Sequence, residues 1–263
     1  MLRAALVCVL ALGLAGVTAP PVGTETLGLA GVTAPPARAA AAPFEVRHLK
    51  VKGASLPYAV WLPPGYDSSR AWPCVVFLHG SGESGTDGLE PTLQGIGPAL
   101  LEHPERWPFV VLFPQKPSEF EEWEEREAFV LALLKTAPRT WRIDPDRVAL
   151  AGISQGGHGA WVFGARHPGL WSCLVPVCGY GRARTVATRA WRLPVWAFHG
   201  LKDDVVNPAD TRDIVAELAR RKRDAGLPEP RMTLYPDLNH GSWATAFGEP
   251  ELPVWILAQR RGK

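Results

Sequence analysis

The chain has 263 residues, 46% hydrophobic and 21% charged, which suits one soluble domain and excludes a wholly disordered or collagen-like chain. Lys and Arg number 28 against 26 Asp and Glu, a net charge of +2. That balance calls for neither nucleic acid nor an anionic membrane as a partner.

The segment 1–39 reads as a secretory signal. Arg3 is the only charge before Glu25, and the stretch between them is apolar or small. The block LGLAGVTAPP occurs at 12–21 and again at 27–36. With no third copy, it is a local duplication and not a structural repeat. Ala37-Arg38-Ala39 places small residues at the two positions a signal peptidase reads, so cleavage is expected after Ala39. The competing reading is an uncleaved anchor, since the apolar stretch is about long enough to span. Gly and Pro interrupt it, so no stable membrane anchor is expected after processing. Residues 40–43 form a short linker, and 44–263 one catalytic domain. Cys74, Cys173 and Cys178 then remain, an odd number with no CxxC and no zinc spacing. They read as buried small hydrophobes, with one disulfide still possible. No metal and no cofactor is expected.

In the mature chain, 44–51 and 56–62 read as two strands of a hairpin. Unbroken apolar runs follow at 74–78, 109–113, 147–151, 172–177, 193–198 and 232–235. Helical patterns fall at 121–134, 155–166, 209–223 and 252–259. Buried strands alternating with helices predict an α/β domain with a mostly parallel central sheet and helices on both faces. All eleven Trp lie after residue 60, too many to leave without a core or a binding face.

Gly152-Ile153-Ser154-Gln155-Gly156 matches G-x-S-x-G and lies between a predicted strand and a predicted helix, where a sharp turn exposes the serine oxygen. A serine hydroxyl is a weak nucleophile without a histidine base, and the base needs an acceptor to fix its tautomer. Four histidines follow Ser154. His158 and His167 ride on the next helix, and His199 suits a structural role at a strand-to-loop corner. His240 lies after the last strand, where a loop can return over the nucleophile. The acid belongs after the 193–198 strand, where Asp203 and Asp204 compete.

At this point the chain resembles the α/β-hydrolase superfamily, in which HG-x-x-D-x-x-V after this strand carries the acid. That resemblance selects Asp203. Further segments are Leu78-His79-Gly80-Ser81-Gly82-Glu83, Phe113-Pro114-Gln115, GISQGGHGAW, WAFHGLKDDVV and NHGSWATAF. Together they resemble secreted bacterial esterase-like hydrolases of the predicted-peptidase and phospholipase/carboxylesterase-like group, related to polyhydroxybutyrate depolymerases and feruloyl esterases. His158 is a departure, since many members of that group carry Tyr or another residue at its place; it leaves the triad intact and bears on local packing. The resemblance implies an oxyanion hole from the backbone N–H groups of Gln155 and Ser81.

Only about fifteen residues separate the strands ending at Val177 and starting at Leu193. No large cap domain can be built there, which predicts an open site for bulky or polymer-attached esters. Gln115 and Trp123 are candidate substrate contacts, Trp123 as a stacking platform or else a core residue. Trp243 is a candidate pocket wall or loop clamp. The glutamates from Glu119 to Glu127 read as a solvated helix start. The expected activity is a serine esterase cleaving carboxylic esters through an acyl-enzyme. The substrate is expected to be a small-molecule or polymer-attached ester, short-acyl or linked to carbohydrate, aryl or polyester groups. A serine peptidase with the same triad and a non-catalytic binding protein on this scaffold are the competing readings.

Overall fold

The computed structural model describes residues 43–262. The predicted signal and its cleavage site lie outside them. No helix among the described residues is long and apolar enough to cross a membrane.

Eight strands form one sheet: β1 (Glu45–Val51), β2 (Ala54–Trp61), β3 (Trp72–Leu78), β4 (Val110–Pro114), β5 (Ile143–Ile153), β6 (Cys173–Val177), β7 (Trp196–Gly200) and β8 (Arg231–Tyr235). Their order is β1-β2-β4-β3-β5-β6-β7-β8. The hairpin β1–β2 is antiparallel and β2 joins β4 antiparallel. All later pairings are parallel. Parallel neighbours need crossovers, and those supply the helices.

The helices are α1 (Ile96–Glu102), α2 (Glu127–Trp141), α3 (Gln155–Arg166), α4 (Ala183–Ala190), α5 (Pro208–Asp224), α6 (Trp243–Gly248) and α7 (Glu251–Ala258). Successive strand residues point to opposite faces, so each central strand feeds two cores. On β3, Cys74, Val76 and Leu78 join one core with residues of α2, α3, α4 and α5. Val75 and Phe77 join the other, with residues of α1, α6 and α7. This is the α/β-hydrolase architecture expected from the sequence, with helices on both faces. The cores also absorb the tryptophans: Trp72, Trp107, Trp123, Trp161 and Trp171 are all fully buried.

Several boundaries differ from expectation. Helix α2 runs past 134 to Trp141, with Pro138 inside it, and stops at Arg142 in a left-handed conformation. Strand β5 begins at Ile143 and not at 147, because Ile143 pairs with Trp72 before a register shift. Strand β7 starts three residues later than the 193–198 run, at Trp196, and takes in His199 and Gly200. His199 is therefore inside the sheet, not at a corner beyond it. Helices α1, α4 and α6 were not anticipated. They are short, at 7, 8 and 6 residues, so little periodicity marks them. Between Val177 and Trp196 the only helix is α4, and it packs beside α3 and α5. Among the described residues no cap domain covers the strand ends.

Cys74, Cys173 and Cys178 are free and buried, so no disulfide links them. Burial pushes the Cys173 and Cys178 thiols up to about 12, which keeps them protonated and inert.

Candidate active site

The carboxyl ends of β3, β5, β6 and β7 converge at one rim of the sheet. Ser154 follows β5 directly. Its backbone is left of the usual range, at φ 52° and ψ −118°. Such a strained turn persists only when its surroundings fix it. Here Ser154 N–H donates to Val177 O at 3.0 Å, tying the turn to β6. The flanking glycines are sterically required. A Cβ on Gly156 would stand 1.9 Å from Leu78 O, and one on Gly152 would stand 2.2 Å from Gly156 O. Strand β3 and helix α3 thus meet at backbone contact, and the serine is pushed out between them.

His240 lies on the loop between β8 and α6. Its Nε2 is 2.9 Å from Ser154 Oγ and its Nδ1 is 2.8 Å from Asp203 Oδ2. Since Asp203 can only accept, Nδ1 carries the proton and Nε2 is free to accept from the serine hydroxyl. The structure therefore joins the three residues singled out in the sequence into one hydrogen-bonded chain. Asp204 is not in it.

Asp203 is held by four donors. Oδ1 accepts the N–H groups of Val205 and Val206 at 2.9 and 2.8 Å. Oδ2 accepts from His240 and, at 3.0 Å, from His199 Nε2. Burial raises its carboxyl, but the His240 bond and the two amides outweigh that and hold it below the usual carboxylate range. His199 is fully buried, with Nδ1 2.8 Å from Thr211 Oγ1. Burial pushes it below the ordinary histidine range, so it stays neutral. Sequence reading gave His199 a purely structural place. The HG-x-x-D spacing, with Asp203 at i+4, was the signal that it touches the acid.

Gln155 opens α3, so its backbone N–H belongs to the unpaired first turn of a helix and can meet an anion. Its side-chain amide donates to Glu119 O at 3.2 Å. Ser81 lies on the exposed loop after β3. The start of that loop is close: a Cβ on Gly80 would be 3.5 Å from Ser154 Cβ. Glu83 folds back over the same place, 3.1 Å from that Gly80 position, with Oε2 buried and unpaired. Burial raises its pKa.

Two expected substrate contacts take other roles. Trp123 is fully buried, donates from Nε1 to His79 O at 3.0 Å and packs edge-on against the His79 ring. It belongs to the core and cannot stack on a substrate. Its position at the start of a 3-10 turn, Trp123–Arg126, directs it inward. Gln115 is also fully buried. Its Oε1 accepts from Gly88 N at 2.6 Å and its Nε2 donates to Glu83 O at 3.1 Å. It clamps the 81–88 loop and does not face the site. Trp243 stands edge-on to His240, with centroids 5.4 Å apart, and its Nε1 donates to Gln94 Oε1 at 2.9 Å. It braces the base.

His79 ends the wall behind the loop. Its Nδ1–H faces Gly80 O and its Nε2 accepts from Lys116 N at 3.1 Å. Burial pushes it down to about 3, so it is neutral at any ordinary pH. The acidic segment is not a freely solvated helix start. Glu124 Oε1 is 3.1 Å from His158 Nε2, and Tyr180 donates to Glu122 Oε1 at 2.7 Å. Burial lowers the His158 pKa, but its bonds to Glu124 and to Tyr180 O prevail and raise it. His158 thereby ties α3 to the segment that holds Gln155.

The comparisons with known proteins bear on the family and the fold. Residues 51–197 match the family described as "Putative esterase". That span includes Ser154 and ends before Asp203 and His240. A solved thermostable esterase is 27% identical, with a TM-score of 0.73 over 83% of this chain. The match takes in 63% of that esterase, so the chain spans under two thirds of its length. A ferulic acid esterase aligns at 16% identity and TM-score 0.62, over 81% of this chain and 98% of that one. An S-formylglutathione hydrolase from Staphylococcus aureus aligns at 13% and 0.63, over 81% and 96%. At those identities the last two share the fold. With the family match covering more than half its length, the chain belongs to this esterase family of α/β-hydrolases.

Proposed function

We propose that the chain is an exported serine esterase that cleaves carboxylic esters through an acyl-enzyme on Ser154. The observation that carries the reading is the unbroken hydrogen-bonded chain from Asp203 through His240 to Ser154 Oγ.

Ser154 Oγ attacks the ester carbonyl carbon while its proton passes to His240 Nε2. Asp203, held ionised by its four donors, stabilises the imidazolium through Nδ1–H. The carbonyl oxygen becomes an oxyanion, met by the N–H groups of Gln155 and Ser81. Collapse breaks the bond to the alcohol oxygen, which takes the proton from Nε2. A water then repeats the sequence: its proton goes to Nε2, its oxygen attacks the acyl carbon, and Ser154 leaves with the proton. The free acid is released.

With only α4 between β6 and β7, no cap domain among the described residues closes over the nucleophile. This favours short-acyl esters and esters carried on a carbohydrate, aryl or polyester backbone over long lipid chains. The signal pattern of residues 1–39 supports a secreted or periplasmic location, without a stable anchor once processed.

Hydrolysis of p-nitrophenyl acetate by residues 40–263 tests the reading, with Ser154→Ala and a peptide p-nitroanilide beside it. Turnover of the ester, its loss in Ser154→Ala and inertness of the anilide are expected. Anilide cleavage at a comparable rate would make the enzyme a peptidase. An ester rate equal in both proteins would remove the acyl-enzyme reading.

A further inference from the structure

The largest anomaly outside the triad is Lys222. Helix α5 buries Thr211, Ile214, Val215 and Leu218 along one stripe, and Lys222 continues it at the next turn. That spacing calls for an apolar residue. Lys222 is only 3% exposed, yet among the described residues no hydrogen bond or ion pair meets its ammonium. The stem is enclosed while the ammonium keeps some contact with solvent, so in the free protein water alone meets the charge and a ligand anion can replace it.

Lys222 borders a cavity of about 720 Å³ formed by the C-terminal part of α5, the starts of β7 and β8, and α7. This is the amino end of the parallel strands, opposite the rim that carries Ser154. Arg192 and Arg231 also line it. Arg192 lies over Trp191, at 4.1 Å, and Arg231 over Trp196, at 4.9 Å. The two acids at the cavity are engaged elsewhere or weakly: Glu229 pairs with Arg223 at 2.8 Å, and Glu251 reaches Arg231 only at 3.8 Å. Positive charge is therefore left over. The remaining wall is mostly apolar, with Leu227, Val254 and the half-buried Trp255.

We propose that this cavity is a second binding site, distinct from the ester-cleaving one, that takes a small monocarboxylate with an apolar, ring-sized body. The carboxylate meets Lys222, flanked by Arg192, and the ring lies against Trp255 and Leu227. The site does not depend on the esterase reading. Burial alone depresses the Lys222 pKa, and an incoming carboxylate opposes that by favouring the charged ammonium.

The test is calorimetric titration of residues 40–263 with 3-phenylpropionate, with uncharged 3-phenylpropan-1-ol as control. Lys222→Met keeps the stem and removes the charge, and it is expected to fold at least as stably as the parent. Saturable one-site binding of the acid, at least tenfold weaker for Lys222→Met and for the alcohol, supports the site. Equal binding by parent and variant, or none by the parent at 10-mM-order acid, overturns it. Arg192→Ala provides a second arm: a severalfold loss is expected, and no change together with an unchanged Lys222→Met overturns it again.

Discussion

His199 and His240 share one oxygen, Oδ2 of Asp203, at 3.0 and 2.8 Å. One ring belongs to β7 and the other to the loop after β8. His199 cannot reach the substrate, so it acts by positioning the acid. Replacing it by Ala leaves Asp203 one donor short and free to turn. The expected result is a fall in kcat of about tenfold, some 1.4 kcal/mol, with KM unchanged. His199→Gln, which keeps a donor, is expected to recover part of the loss. Steady-state kinetics on the two variants check this, and an unaltered kcat in His199→Ala would remove the positioning role.

Trp123 separates a core residue from a substrate platform. Trp123→Phe removes the bond to His79 O and leaves a gap in a fully buried place. A loss of about 2 kcal/mol of stability is expected. KM for an aryl ester is expected to stay the same. Urea unfolding and a KM measurement decide, and a large rise in KM at unchanged stability would restore the stacking role.

Gly156 presses against the end of β3 so closely that any Cβ meets Leu78 O. Leu78 O is a backbone atom and a Cβ is fixed by the backbone that carries it, so neither can rotate away. Gly156→Ala is expected to cost more than about 4 kcal/mol and to yield little soluble protein. A Tm within a few degrees of the parent would show that the elbow is looser than its geometry.

His79 makes the fold sensitive to acid. Its pKa is about 3 in the native state and near 6.5 when unfolded. Between those values the unfolded chain holds a proton that the native chain lacks. Stability is therefore complete above about pH 6.5 and falls as the pH drops toward 3, by as much as a few kcal/mol. His79→Gln, which cannot titrate there, is expected to flatten this part of the pH–stability curve. Denaturant midpoints across pH 4–7 measure it, and parallel curves for both proteins would contradict it.

Much of this molecule was legible in its residues. The parallel core strands show as unbroken runs such as CVVFL because both faces of each are buried. The elbow shows because only small residues allow the strand–helix contact, and it predicted the start of α3 at Gln155. Asp203 was separable from Asp204 only by family resemblance; the structure gives the physical reason, two downstream amides and two histidines around one carboxylate. Less legible were contacts made across the chain. Gln115 and Trp123 sit at strand and turn ends that point toward the site in sequence order, but long-range partners, His79 and the 81–88 loop, turn them inward. Lys222 was invisible as an anomaly, since a basic residue in the last turn of a helix is ordinary until its burial is known.

The most direct test of the central claim is intact mass after exposure to a fluorophosphonate, which traps an activated serine. The account predicts one adduct per chain, mapped to Ser154, absent in Ser154→Ala and formed far more slowly in His240→Ala and Asp203→Ala. Labelling of another residue, or a rate in His240→Ala equal to the parent's, would contradict it.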